Sequence, residues 1–261
     1  MNQPNLFIVG APKCGTTYLY NILKYNEHID VCKIKEPNYY CRMEISLKKK
    51  VFSFLRIKFN ELNIHNEFIS DKISYLKLFQ DCNKKSKYFL EASTNYLLSK
   101  RAAKEIFTDN PNSKIIICYR NPTERLISHY KMGITNGKLG NKKFKYCIDI
   151  SSSLKTYKLD NPFLLIQHSF YYASSQMYLK YFDKNQVLFL DFNTIISKNE
   201  DLKSHLEKFL KLDNINLKFE SSRNTSFQYE NKFIDLLNSV SFTRFLISTL
   251  IPKKLIKKIK S

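Results

Sequence analysis

The sequence predicts an α/β fold, a central, mostly parallel sheet with helices on both faces, and three observations lead there. Near-continuous apolar runs recur at 5–10, 87–93, 114–120 and 186–192, as strands buried on both faces require. Helical patterns separate them, over 16–25, 95–107, 122–136, 162–182 and 199–211. Two polar segments, "GAPKCGTT" and "YRNPTER", each follow a strand directly, where parallel sheets bind their ligands.

The first strand, "NLFIVG", runs through "GAPKCGTT" into the helical "TYLYNILKYN". Two of the chain's five glycines, Gly10 and Gly15, lie in this stretch, so a strand, an anion-binding loop and a helix follow one another. The spacing matches the ATP and GTP loop G-x-x-x-x-G-K-[ST], and a three-layer P-loop-type fold is the expectation. However, Thr16 stands where that loop has its lysine, and the only lysine here is Lys13. A donor with one phosphate and a smaller transferable group suits this loop better than a γ-phosphate with magnesium.

The strand at 114–120 leads into "CYRNPTERLISHY". Asn121 is a good N-cap, Pro122 suits the first helical position, and Glu124 completes a capping box. The cap fixes the direction of Arg120. Ser128 falls about two turns along the helix, and together Arg120 and Ser128 would hold a second phosphate.

At 261 residues and 43% apolar content, a single domain is expected, with its core over 5–225 and a helical, basic tail over 226–261. No run approaches the roughly 18–20 apolar residues that span a bilayer, and no leader-like segment opens the chain. A cytoplasmic location follows as an expectation. The six cysteines are irregularly spaced, as free thiols of a reducing compartment are. The five histidines form no ligand-spaced set, so no metal is expected.

The net charge of +20 fits a solvated lysine-rich surface together with anionic ligands such as nucleotides, acidic glycans or anionic membrane. No nucleic-acid-binding motif accompanies it, so nucleic acid is not an expected partner. Basic insertions with interleaved aromatics at 45–70 and 137–160 read as surface loops or helices, or as walls of an acceptor cleft. The terminal "FTRFLISTLIPKKLIKKIK" reads as a docking helix or as a contact with anionic membrane.

These motifs carry a resemblance. "FIVGAPKCGTTYLYNIL" resembles the 5′-phosphosulfate loop of the PAPS-dependent sulfotransferases, and "YRNPTERLISHY" their 3′-phosphate motif, in the same order and at similar separation. "KYFLEASTNYL" resembles the family's central G-E-x-x-x-x-Y-L strand, and "YYASSQMYLKYFDKNQVLFLDFNTI" its late helix–strand unit. The likeness spans roughly residues 6–225 and points to the glycan- and heparan-type members.

The resemblance implies 3′-phosphoadenylyl sulfate (PAPS) as donor and 3′-phosphoadenosine-5′-phosphate (PAP) as product. It implies a carbohydrate or glycolipid acceptor, no metal and no covalent intermediate. Lys13, Cys14, Gly15, Thr16 and Thr17 would bind the 5′-phosphosulfate, and Arg120 with Ser128 the 3′-phosphate. Arg223 and Asn224, in "SSRNTSFQ", would reach the nucleotide. "KIKEPNYYC" resembles the K-E-x-x-(F/Y)-(F/Y) segment whose glutamate is the general base, which assigns that role to Glu36. Lys33 and Lys35 would then meet acidic substrate or the moving sulfuryl, and Tyr39 and Tyr40 would stack on sugar. His129 is the runner-up base, although neighbours on a helix point about 100° apart and Ser128 precedes it. Several heparan-type relatives carry a lysine after the central glutamate; here Ala92 occupies that place, and Glu91 reads as structural. A P-loop kinase of a small metabolite is the alternative enzyme. A basic polymer- or membrane-binding protein without activity is the alternative outside enzymes.

Overall fold

Five apolar or small residues without a polar side chain form β1 (Leu6–Gly10), and all five are buried. Such a strand needs protein on both faces and both edges, so it lies at the centre of the sheet. The computed structural model describes residues 2–45, 69–83, 85–197, 200–213, 215 and 217. All of these fall in one unit, Met1–Phe219, and a second unit is Glu220–Ser261. The expected tail over 226–261, Arg223, Asn224 and most of the insertion over 45–70 lie outside the described residues.

After β1 come α1 (Thr16–Leu23), the short β2 (Ile29–Val31) and a 3₁₀ turn at Tyr39–Glu44. The chain continues through α2 (Lys72–Lys77), β3 (Tyr88–Ala92), a 3₁₀ turn at Thr94–Leu97 and α3 (Ala102–Asp109). Then follow β4 (Lys114–Tyr119), α4 (Pro122–Thr135), α5 (Phe144–Ser153) and α6 (Tyr171–Leu179). Last are β5 (Val187–Asp191), α7 (Phe192–Ile196) and α8 (Glu200–Leu210). The strands pair in the order β2-β3-β1-β4-β5, and every pairing is parallel. The expected α/β architecture is present, with Ile115, Ile116 and Ile117 fully buried in succession. Each such side chain contributes roughly 1.5–3 kcal/mol by leaving water.

Two elements differ from the sequence expectation. The helix expected over 95–107 is interrupted, because Ser99 Oγ accepts the amide hydrogens of Arg101 (3.1 Å) and Ala102 (3.0 Å) and so starts α3 afresh. The segment expected as one helix over 162–182 makes turns and a 3₁₀ turn at Gln167–Ser169 before α6. The basic insertion at 137–160, readable as loop or helix, is helical in part: α5 buries Cys147, Ile148 and Ser151. Among the described residues no helix is long and apolar enough to cross a membrane.

The carboxyl ends of the strands gather the chemistry. β1 releases the loop 11–15, whose Ala11 N–H donates to Cys118 O of β4 at 2.7 Å. The segment after β2 crosses the end of β3, where Glu36 N–H donates to Ala92 O at 2.9 Å. β1, flanked by β3 and β4, is where the order of strands reverses, and ligands of open sheets bind at such a point.

Candidate active site

Gly10 and Gly15 shape the loop after β1. Gly10 has φ +145°, and a Cβ there would stand 2.8 Å from Leu97 Cβ and 2.9 Å from Thr94 O. Gly15, at φ +81°, is the N-cap of α1, and a Cβ would meet Ile195 Cγ2 at 3.1 Å and Phe192 Cδ2 at 3.3 Å. Only glycine lets the backbone approach this closely and turn this way. The first-turn amides of α1 lack intrahelical acceptors and sit at the positive end of its dipole. An anion at the loop therefore meets backbone donors.

Lys13 is in the left-handed region at φ 70°, Glu36 at φ 60° and Asn38 at φ 54°. Three of the four non-glycine residues with positive φ among the described residues thus lie at this one edge. Strained backbone of about 1–3 kcal/mol per residue persists where the surroundings enforce it, and it concentrates at functional sites.

Cations converge around the loop. Burial, and then the charge of Arg120, lower the Lys13 pKa, with a smaller contribution from Lys35. Among the described residues no hydrogen bond or ion pair holds the Lys13 ammonium. Lys35 Nζ donates to Thr17 Oγ1 at 2.9 Å and pairs with Glu36 Oε1 at 3.3 Å. Thr94 Oγ1 lies 3.4 Å from the same Glu36 oxygen. One ammonium therefore joins the helix start at Thr17 to the carboxylate of Glu36. Lys33, in contrast, pairs with Asp81 away from this group.

Arg120 leaves β4 with its guanidinium 4.1 Å above the Phe192 ring and its Nε 3.1 Å from Glu124 Oε2. Asn121 caps α4 as expected, accepting the amides of Thr123 and Glu124. The Glu124 carboxylate, expected to close a capping box, instead pairs with Arg120. Ser128 is half-buried one turn beyond Glu124, on the same face of α4. Thr16 is buried in the first turn of α1, whereas Thr17 is exposed.

Several expected roles are corrected by packing. Tyr39 and Tyr40 are 5% and 2% exposed, so neither offers a face to sugar. Tyr39 stacks on Tyr75, and Tyr40 packs edge-on against Phe7, Tyr75 and Tyr96. Cys14 is fully buried with its Sγ 3.6 Å from Tyr171 Oη, and burial pushes its thiol up to about 11. It is a neutral packing group, and its backbone rather than its sulfur borders the loop.

His129 also leaves the list of bases. Its Nδ1 lies 3.1 Å from Arg125 Nη1, and a guanidinium only donates, so Nδ1 is the acceptor and Nε2 carries the proton. Burial and the Arg125 charge keep its pKa well below the usual value, so it stays neutral without an acceptor to offer. Arg125 itself is fully buried, and it donates to Ser169 Oγ at 2.7 Å and to Leu165 O. The sequence did not single out Arg125, Phe192 or Thr94. Phe192 and Thr94 touch proposed functional groups only through chain reversals that no local pattern encodes.

Glu91 is fully buried, and burial raises its pKa from 4.5 to about 7 against the hydroxyls of Ser93, Tyr75 and Tyr96; the Glu36 charge adds to the rise. The folded chain holds this proton more tightly than the unfolded chain does. Its contribution to stability is therefore complete below pH 4.5 and is lost as the pH climbs to about 7. At roughly 1.4 kcal/mol per pH unit this amounts to about 3 kcal/mol. Denaturant titrations from pH 4.5 to 8 are expected to show Glu91→Gln gaining on the wild type by about that amount across this window. A constant difference across pH contradicts a neutral Glu91.

The geometry has counterparts among known proteins. The family model described as "Sulfotransferase domain" matches residues 3–253. Human carbohydrate sulfotransferase 15 is 25% identical over 238 residues, which covers 72% of this chain and 40% of that protein. Mouse heparan sulfate glucosamine 3-O-sulfotransferase 5 is 25% identical over 138 residues, covering 51% of this chain and likewise 40% of the relative. The chain thus spans less than half the length of these curated relatives. A sulfotransferase structure from Alicyclobacillus acidocaldarius superposes with a TM-score of 0.72 at 22% identity, covering 96% of this chain and 95% of that one. The sulfotransferase domain of the curacin biosynthetic pathway follows at 0.52 and 16% identity, over 85% and 77%. At these identities the two structures speak for the fold alone.

Proposed function

Because the chain belongs to the sulfotransferase domain family, we propose that it moves a sulfuryl group from PAPS to a hydroxyl of a carbohydrate or glycolipid. The observation that carries this reading is the Lys35 ammonium, bonded at once to Thr17 of the anion loop and to the Glu36 carboxylate. A sulfuryl at the loop then lies beside a proton acceptor.

In the proposed transfer the acceptor oxygen attacks sulfur while the bond from sulfur to the bridging phosphate oxygen breaks. Glu36 takes the acceptor's proton, and the bridging oxygen leaves with the bonding pair as part of PAP. Lys13 neutralises the charge that grows on that oxygen, and the first-turn amides of α1 hold the remaining phosphate oxygens. Arg120, set by Phe192 and Glu124, and Ser128 on the same side of α4 hold the 3′-phosphate. Gly10 and Gly15 fit this assignment, since a Cβ at either would crowd the loop's own support. The carbohydrate acceptor is drawn from the two curated relatives, whose names state such substrates. Cytoplasmic location and contact of the basic tail with anionic membrane belong to the same proposal, and cell fractionation tests them.

Calorimetry on Arg120→Ala tests the nucleotide assignment. The variant is expected to lose affinity for PAP by about tenfold or more, in keeping with a lost charge-assisted pair, while affinity for AMP barely changes. Equal losses for both ligands remove Arg120 from the 3′-phosphate. A labelled-PAPS assay against sugars, glycolipids and phenols, read by mass spectrometry, tests the transfer itself. Absence of any sulfated product overturns it.

A further inference from the structure

Below the Glu36 segment lies a carboxyl group that the proposed chemistry does not use. Glu91, near the end of β3, is fully buried, and its Oε2 accepts from Tyr75 Oη at 2.7 Å and from Tyr96 Oη at 2.8 Å. Both tyrosines support the segment that carries Glu36. Tyr96 Oη accepts the backbone N–H of Tyr40 at 3.2 Å, and the Tyr75 ring stacks on Tyr39 with centroids 4.3 Å apart. The same segment is tied to the residues after Glu91 by Glu36 N–H on Ala92 O at 2.9 Å and Asn38 N–H on Ser93 Oγ at 3.1 Å.

Glu36 and Asn38 both hold positive φ, so this path relaxes unless it is fastened from below. An apolar residue at 91 would satisfy the core at lower cost than a buried carboxyl group. What an apolar residue cannot do is orient two phenol hydroxyls arriving from α2 and from the 3₁₀ turn after β3.

We propose that Glu91 is a positioning residue for Glu36: acting through Tyr75 and Tyr96, it fixes the path of residues 36–40 and hence the point at which the acceptor's proton is taken. The inference rests on Glu36 being the base.

Three variants test it. Glu91→Leu removes the acceptor at similar volume, Glu91→Gln keeps an acceptor, and Tyr96→Phe keeps the ring and removes the link to Tyr40. Glu91→Leu and Tyr96→Phe are expected to lower kcat by about tenfold or more, as small misplacements do. The KM for PAPS and the Kd for PAP should each move by less than about twofold. Glu91→Gln should restore most of kcat. In a Glu36→Gln background, Glu91→Leu should subtract less than about a further twofold, because the group it positions is already gone. Amide exchange at Tyr40, expected to be about tenfold faster in Glu91→Leu, reads the placement without any turnover.

Unchanged kcat in Glu91→Leu and Tyr96→Phe, losses of PAP affinity parallel to kcat, or additive losses in the double variant each overturn the positioning role. If Glu91→Leu does not fold, Tyr96→Phe carries the same readouts. A wild-type protein that transfers no sulfuryl overturns the proposed function instead, while exchange at Tyr40 still decides whether Glu91 fixes the segment.

Discussion

In Glu36→Gln, turnover of PAPS is expected to fall by about 10²- to 10⁴-fold, the usual contribution of a positioned base, with PAP affinity changed by less than about twofold. The amide keeps the shape and the hydrogen-bonding oxygen that Lys35 and Thr94 meet at 3.3 and 3.4 Å, so the segment keeps its fold. It lacks the basicity to take a proton from an attacking hydroxyl. Initial rates on the carbohydrate selected by a labelled-donor screen, with calorimetry on PAP, separate the two quantities. Turnover within threefold of the wild type would move the base role elsewhere. His129 would not inherit it, since Arg125 occupies its acceptor nitrogen.

Lys13→Ala should remove transfer to a comparable extent, about 10²- to 10³-fold, as loss of one donor aimed at developing charge does. Binding of PAP should weaken much less, because loop amides and Arg120 still hold the phosphates. The backbone strain at φ 70° is unchanged, as alanine tolerates that region no better than lysine. Thermal melts are therefore expected to coincide with the wild type. A variant that binds PAP far more weakly yet turns over normally at saturation places Lys13 in ground-state binding and takes from it the leaving-group role.

The sheet was legible because its strands are continuous apolar runs bounded by polar loops. Expected strands at 5–10, 87–93, 114–120 and 186–192 correspond to Leu6–Gly10, Tyr88–Ala92, Lys114–Tyr119 and Val187–Asp191. β2 escaped because three residues, "IDV", make no pattern; it exists through pairing with Tyr88, Phe89 and Leu90. α5 was legible only as one of two readings, loop or helix, because lysines and serines mask the few residues it buries. Around the candidate site, the turn shaped by Gly10 and Gly15 and the Asn121 cap were legible from local spacing. The burial of Tyr39 and Tyr40 was not, since aromatic pairs read alike in a core and on a sugar platform. Only the contacts with Tyr75 and Tyr96, residues distant in sequence, decide between them.

Arg125 sits beneath this edge as a guanidinium whose hydrogen-bond partners among the described residues, Ser169, Leu165 and His129, are all uncharged. Its field is felt at Cys14, His129 and Arg120, and it reaches them through protein rather than through electrolyte. The lysines of the outer surface attract polyanions only within a Debye length of about 8 Å at physiological ionic strength. The interior guanidinium is not dimmed in that way. Attraction of an anion to this cleft should therefore persist at salt concentrations that silence the rest of the molecule's positive charge.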